Sequence, residues 1–161
     1  MNTQYPKNMT EQLQLVCLEP SDLSQMVSIE GKAHSHPMSE GNLADCFGRL
    51  YRVLGLKTEA NTLLGFAIIQ QIVDEVTLID ICIDPAQQGH GYGRLLLKEV
   101  IDVAKSSGAV VVMLEVRESN ATARHLYQQA GFTESGRRRG YYSLGEGKGK
   151  EDALLMDLPL V

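Results

Sequence analysis

The spacing of apolar residues changes character along the chain, and each change predicts a new element. Residues 13–18 alternate as a strand does. Pro20, Ser21 and Asp22 then supply a helix start before Leu23, Met26, Val27 and Ile29, which recur on one helical face. The polar stretch 34–39 breaks that helix, and Ser39 is suited to cap a short second one through Cys46. Residues 49–56, 63–73 and 76–83 predict three successive strands, with Asp74-Glu75 short enough to join the last two as a hairpin. Leu96, Leu97, Val100, Ile101 and Ala104 share one face of a helix over 95–105 that stops near Gly108. The run VVVML at 110–114 is almost wholly apolar, as a central strand covered on both faces should be. Ser119 can cap a further helix carrying Ala123, Leu126, Tyr127 and Ala130 on one face, with Gly131 past its end. Two last strands, about 132–138 and 153–158, flank a polar loop at 145–150. No repeat or interior linker interrupts this order, so residues 1–161 read as one mixed α/β domain, with 1–12 an unpatterned, loose tail.

Composition narrows the function classes. A chain of 161 residues is long enough for a real core. No apolar stretch approaches the roughly 18 residues of a membrane span. The opening MNTQYPKNMT lacks the regions of a signal peptide, so a cytoplasmic location is expected. Cys17, Cys46 and Cys82 are far apart and form no C-x-x-C pair; they indicate neither a disulfide framework nor a zinc site and read as small buried hydrophobes. A net charge of −5 argues against general nucleic-acid binding. The cluster Arg137-Arg138-Arg139 stands apart from that balance, as either a contact for phosphate or an acidic partner, or a solvated strand end. The acidic surface would speed encounter with a basic substrate, an effect that salt screens.

The densest chemical signal is Gln88-Gly89-His90-Gly91-Tyr92-Gly93-Arg94, set between the apolar segment 78–83 and a helix. Glycines at alternate positions permit positive φ and close ligand approach, so backbone N–H groups at a helix start can converge on a phosphate. A diphosphate-bearing cofactor is therefore indicated. A Walker loop would need Lys-Ser or Lys-Thr after the turn, and a dinucleotide fingerprint would read G-x-G-x-x-G near the start of a βαβ unit; neither is present. The remaining pattern, Q-x-x-G-x-G at Gln88, Gly91 and Gly93, resembles the acetyl-coenzyme A signature of the GCN5-related N-acetyltransferases (GNAT). A turn that merely starts a helix is the alternative.

Glu115 interrupts the most hydrophobic strand, where lost hydration raises a carboxyl pKa toward the range of a general base. Pairing with Arg117, two positions on and on the same face, is the structural alternative. Tyr127 falls on the apolar face of the next helix, which makes it either a core residue or an acid for a leaving thiolate. Asn120 offers an amide to a cofactor or simply a helix cap.

A wider set of motifs, Leu114-Glu115-Val116-Arg117-x-Ser119-Asn120, Leu126-Tyr127-x-x-x-Gly131-Phe132, Arg138-Arg139-x-Tyr141-Tyr142 and Glu151-Asp152-Ala153, resembles the bacterial ribosomal-protein-alanine N-acetyltransferase family over residues 13–158. The resemblance implies a GNAT fold, with a mixed, mostly antiparallel central sheet flanked by about four helices and a splayed central strand pair forming the acetyl-CoA cleft. It implies that Ile81, Cys82 and Ile83 contribute backbone to the acetyl and pantetheine portion, that Gly89, His90, Gly91, Tyr92, Gly93 and Arg94 cradle the diphosphate, and that Asn120 binds the cofactor. It further implies Glu115 as base, Tyr127 as acid and no metal. The acceptor would be the N-terminal alanine of the eighteenth small-subunit ribosomal protein, with transfer direct rather than through an acyl-enzyme. Nucleic acid and membrane are not expected partners. The chain departs from the family at Met38, where Trp is common, and at Gly140, where Asn is frequent, both positions bearing on the peptide site. His34 and His36 read as bystanders in a polar loop, without a recognisable metal set. An acetyltransferase for a lysine or small amine, or a non-catalytic acetyl-CoA sensor, are the competing functions.

Overall fold

A computed structural model describes residues 12–161, so the expected tail, apart from Gln12, lies outside the described residues. Seven strands form one sheet in the order β1-β2-β3-β4-β5-β7-β6. They are β1 (Leu13–Cys17), β2 (Tyr51–Thr58), β3 (Leu63–Ile72), β4 (Glu75–Ile83), β5 (Val111–Arg117), β6 (Thr133–Ser143) and β7 (Lys150–Pro159), and the helices are α1 (Leu23–Ala33), α2 (Glu40–Asp45), α3 (Tyr92–Ser106) and α4 (Ala121–Gln129). Every neighbouring pair is antiparallel except β4 and β5. A parallel pair needs a crossover, and α3 supplies it. Its apolar face, with Leu97, Val100 and Ala104, packs on one side of the sheet against Leu54, Val76, Val112 and Met156. On the other side Met26 and Ile29 of α1 and Leu43 of α2 bury Val53, Phe66, Ile68 and Cys82. The apolar run of β5 is covered on one face only: Val112, Leu114 and Val116 are buried on the α3 side, whereas Val111 and Met113 are half-buried, Glu115 is exposed and no β5 residue joins the core under α1 and α2, contrary to the cover on both faces that the run predicts.

One irregularity in β4 sets up the site. Its pairing with β3 goes from Ile69↔Leu78 directly to Ile68↔Asp80, which leaves Ile79 as a bulge. A bulge inverts the alternation of side chains beyond it. Leu78 packs on the α3 side, whereas Cys82 joins the α1 side and Ile81 takes the α3 face. Asp80 is thereby turned toward α1. The parallel pairing with β5 also ends here, at Leu78↔Leu114. Beyond this point β4 runs on to Ile83 and β5 to Arg117 without bonding each other. The splayed strand pair expected from the resemblance is therefore present.

Several boundaries differ from the sequence reading. The β3–β4 turn falls on Val73-Asp74, with Ile72 opposite Glu75 and Val73 at φ 56°, an unusual conformation for a β-branched residue. Helix α3 begins at Tyr92, so the last part of the glycine run is its first turn. Strand β6 continues past Arg138 to Ser143 through an irregularity at Gly140, whose φ is 56°. Both Gly and Asn tolerate that left-handed conformation, which gives the Gly140 departure a backbone reason. Cys46 and Cys82 are buried as expected, but Cys17 is exposed on the edge strand β1. No helix among the described residues is long and apolar enough to cross a membrane.

A buried ion pair fastens α1 to β2. Lys57 Nζ donates to Asp22 Oδ1 at 2.7 Å and to Asn61 Oδ1 at 2.9 Å, and the two charged side chains are 9% and 11% exposed. Burial works to raise the Asp22 carboxyl, but Lys57 and the Glu19 N–H hold it below its ordinary value. Its contribution to stability is therefore complete above the unfolded carboxylate range and lost as pH falls through the lowered folded value. Lys57→Met strands the carboxylate, and the expected loss of about 3 kcal/mol lowers the melting temperature by about 6–12 °C at neutral pH. Thermal denaturation followed by circular dichroism checks this.

Candidate active site

Where β4 leaves the sheet, the Asp84 carboxylate accepts the Ala86 N–H at 3.0 Å and shapes a single 3-10 turn that leads into the glycine run. Gly89 and Gly91 hold φ values of 89° and 81°, a region closed to most L residues. A Cβ at either position would meet nothing within 4 Å, so this backbone faces open space. Gly91 directly precedes α3, and the first amides of a helix lack intrahelical acceptors and favour anions. A groove of about 620 Å³ runs from here along the free edge of β4. Ile81, Cys82, Ile83, Gly89, Gly91, Tyr92, Gly93, Arg94 and Asn120 all line it.

His90 does not line this groove; its ring stacks on that of Tyr92, 5.5 Å between centroids. The Tyr92 side chain is itself 2% exposed and packs in a core cluster with Leu56, Leu64 and Leu96. The opposite wall contains Thr122, His125 and Gln129, which sequence reasoning did not single out. Their spacing of three and four residues is the signal that marks them as one polar face of α4.

A second groove of about 580 Å³ joins the first at Ala33, His34, Ile81, Asn120 and Ala123. Glu115 and Tyr127 both line it. Glu115 is the first β5 residue beyond the last one paired with β4, so the splay exposes it; its side chain is 32% accessible rather than enclosed by the strand. Its partner is Arg138, whose Nε donates to Oε2 at 2.7 Å, and not Arg117, which bonds Glu151 at 3.2 Å. Tyr127 is 6% exposed, and its ring lies against Phe132. Burial, with Asp80 and Tyr142 adding to it, pushes the phenol well above its ordinary value. Core residue and groove lining are thus both true of Tyr127. Asn120 Oδ1 accepts the Ala123 N–H at 3.2 Å and caps α4, the role the sequence suggested for Ser119. Ser119 instead donates its N–H to Glu151 Oε1 at 3.0 Å.

The floor of this groove holds groups that the sequence reading passed over. His34 Nε2 lies 3.0 Å from Asp80 Oδ1, so His34 is no bystander, whereas His36 is exposed and meets only Ser35. Glu30 is 2% exposed and accepts the Met38 N–H at 2.9 Å. Desolvation, reinforced by the neighbouring Asp80 carboxylate, raises the Glu30 carboxyl to about 8. Asp80 likewise raises the His34 imidazole, against the pull of burial. Sequence offered little signal for the pair Glu30 and His34, since Glu30 belongs to the last turn of α1 and His34 is the extended residue that ends it. Asp80 was hidden because its facing depends on the Ile79 bulge.

Residues 23–132 match the family model described as "Acetyltransferase (GNAT) family". The chain belongs to this family. Acetyltransferases of the GNAT family use acetyl-CoA as cosubstrate. The chain is 42% identical over 143 residues to the [Ribosomal protein bS18]-alanine N-acetyltransferase of Escherichia coli K12, covering 89% of this chain and 95% of that protein. It is 43% identical over 139 residues to the protein of the same name from Haemophilus influenzae, covering 86% and 93%. The crystal structure of the ribosomal-protein-S18-alanine N-acetyltransferase from Escherichia coli superposes with a TM-score of 0.85 at 40% identity, over 92% of this chain and 94% of that one.

Within the GNAT frame, the motifs holding Arg117, Arg138, Glu151 and Asp152 meet in one wall beside Glu115. Arg137 bonds Glu118 and Asp152, each at 2.8 Å, and Asp152 also accepts the Gly140 N–H at 2.8 Å. The Arg117 guanidinium lies 4.3 Å from the Tyr142 ring centroid, and that of Arg138 lies 5.5 Å from Tyr141. Arg137 and Arg138 are thus committed to intramolecular carboxylates rather than standing as a general anion surface.

Proposed function

We propose that the protein transfers the acetyl group of acetyl-CoA to the α-amine of an N-terminal alanine, that of ribosomal protein bS18, by direct attack in a ternary complex. The observation that carries this reading is the meeting of two grooves: the glycine-turn groove opens onto the one lined by Glu115 and Tyr127. The relatives named above, similar along nearly the whole chain, support the choice of acceptor.

In this reading the amides at Gly89 to Arg94 and the start of α3 hold the diphosphate, while the unpaired edge of β4 at Ile81 to Ile83 holds the pantetheine arm and stabilises the oxyanion. Glu115 takes the amine proton, directly or through a water. The amine nitrogen then bonds to the thioester carbon, and as the C–S bond breaks Tyr127 gives its proton to the departing thiolate. A neutral phenol is the form this step requires, and burial of Tyr127 maintains it. Cys82 is unsuited to carry an acyl group, because burial and the nearby Asp80 and Glu30 push its thiol far from ionisation. An α-amine also fits a single carboxylate base: its reference pKa of about 8 against about 10.4 for lysine makes the free amine cheaper by about 3 kcal/mol at neutral pH.

Free-CoA release with a peptide beginning in alanine tests the reading. Turnover that depends on the peptide's free α-amine is expected; acetyl-CoA binding without release on any amine would favour a sensor instead. Gly91→Ala puts a methyl into the space assigned to the diphosphate, in a strained backbone conformation. Titration calorimetry should then give at least about a tenfold weaker acetyl-CoA Kd, equivalent to about 1.4 kcal/mol.

A further inference from the structure

The sequence offered no metal set, but the fold assembles one. Glu30 lies in the last turn of α1 and His34 is the extended residue that caps its end, and beyond the Ile79 bulge Asp80 and Cys82 stand at i, i+2 on the strand that α1 covers. One ligand atom from each of the four lies within 4.8 Å of the others. His34 Nε2 and Asp80 Oδ1 are 3.0 Å apart, and Cys82 Sγ and Glu30 Oε1 are 3.6 Å apart. Tetrahedral zinc, with bonds of about 2.0–2.3 Å, spaces its ligand atoms at about 3.3–3.8 Å. The longest separation must therefore close by about 1 Å, within the reach of side-chain rotation.

A second observation, made on one of the four donors, also points to a cation. Asp80 is nine-tenths buried, and its Oδ2 is enclosed with no N–H or hydroxyl donor. Such an oxygen is costly to bury unless a positive centre meets it. What lies beside Asp80 is the Glu30 carboxyl, which burial and Asp80 itself hold protonated, so the two acids share a proton that a cation could replace. One donor is also held from behind, as metal ligands usually are. Glu30 Oε2 accepts the Met38 N–H at 2.9 Å, which fixes that carboxyl from the side away from the other donors. Access exists because Glu30, His34 and Asp80 line the second groove, and the His34 side chain is 29% exposed.

We infer that Glu30, His34, Asp80 and Cys82 form a binding site for one borderline-soft divalent ion of the zinc class, at the floor of the groove containing Glu115 and Tyr127. Coordination displaces the proton that burial otherwise keeps on the Cys82 thiol, and the resulting thiolate and an imidazole beside two carboxylates select Zn²⁺ or Co²⁺ over the hard ions Mg²⁺ and Ca²⁺. The ion clips α1 to β4 in the folded state alone, so binding stabilises the fold. The site stands on its own donor geometry and does not depend on the proposed acceptor.

Metal-stripped full-length protein is titrated with Co²⁺ and followed by optical absorption, then with Zn²⁺ under equilibrium dialysis with elemental analysis. One equivalent of Co²⁺ is expected, with tetrahedral d–d bands and a thiolate-to-cobalt charge-transfer band in the near ultraviolet, and Zn²⁺ should displace it and raise the melting temperature. Cys82→Ala should remove the charge-transfer band while leaving weaker Co²⁺ binding, and Asp80→Asn should weaken Zn²⁺ uptake at least tenfold. Each variant is accepted only if its metal-free circular dichroism matches that of the unmodified protein; Cys82→Ser and His34→Gln serve where one does not. Absence of stoichiometric uptake by the unmodified protein at micromolar Zn²⁺, or uptake indifferent to these substitutions, overturns the site. Either result is independent of whether any peptide is acetylated.

Discussion

Glu115→Gln is expected to lower kcat by about 10²–10⁴-fold while leaving the Kd for acetyl-CoA unchanged. The substitution keeps the shape and a hydrogen-bond acceptor for Arg138 but removes the basic carboxylate. Glu115 lines the second groove and not the glycine-turn groove, so cofactor affinity should be indifferent to it. Its exposure also makes folding an unconvincing explanation for lost activity. Steady-state CoA release and calorimetric titration of the same preparation separate the two quantities. A kcat within about threefold of the unmodified enzyme would remove Glu115 from the proton-transfer role.

Tyr127→Phe should reduce kcat by about 10²-fold or more, again at constant cofactor affinity, because the variant retains the ring packed on Phe132 and deletes only the phenolic proton. The pH profile gives a second readout. An acid works while protonated, and burial raises the Tyr127 phenol, so this group stays active to higher pH than an ordinary tyrosine. The unmodified enzyme should therefore show no alkaline loss of kcat with an apparent pKa near the ordinary phenol value of about 10. A limb at that value which vanishes in Tyr127→Phe would show that the phenol titrates as if solvated.

Much of the frame was legible because it rests on periodicity. The apolar face of α3 and the run of β5 predicted a helix and a central strand, and both are found, but only the α3 face of β5 is buried, because the strand lies beyond the reach of α1 and α2. The glycine run was readable because Gly89 and Gly91 occupy backbone space that other residues avoid. The floor of the second groove was not readable, since the facing of Asp80 and Cys82 depends on a bulge at Ile79 that no Gly or Pro announces. The exposure of Glu115 is likewise not legible, because strand hydrophobicity says nothing about where a neighbouring strand peels away. Its pairing with Arg138 rather than Arg117 follows from the fold of β6 alongside β7, a non-local contact. Similarly, Asn120 rather than Ser119 caps α4, and Ser119 is held through its N–H by Glu151, a residue distant in sequence.

The most direct test is mass spectrometry of two peptides of the same sequence after incubation with acetyl-CoA, one beginning with a free alanine α-amine and one blocked there but carrying a free lysine. The account predicts a single acetyl group on the first peptide, at its α-amine, none on the second, and neither product with Glu115→Gln. Acetylation of the lysine peptide at a comparable rate, or full activity in the Glu115→Gln variant, would contradict it.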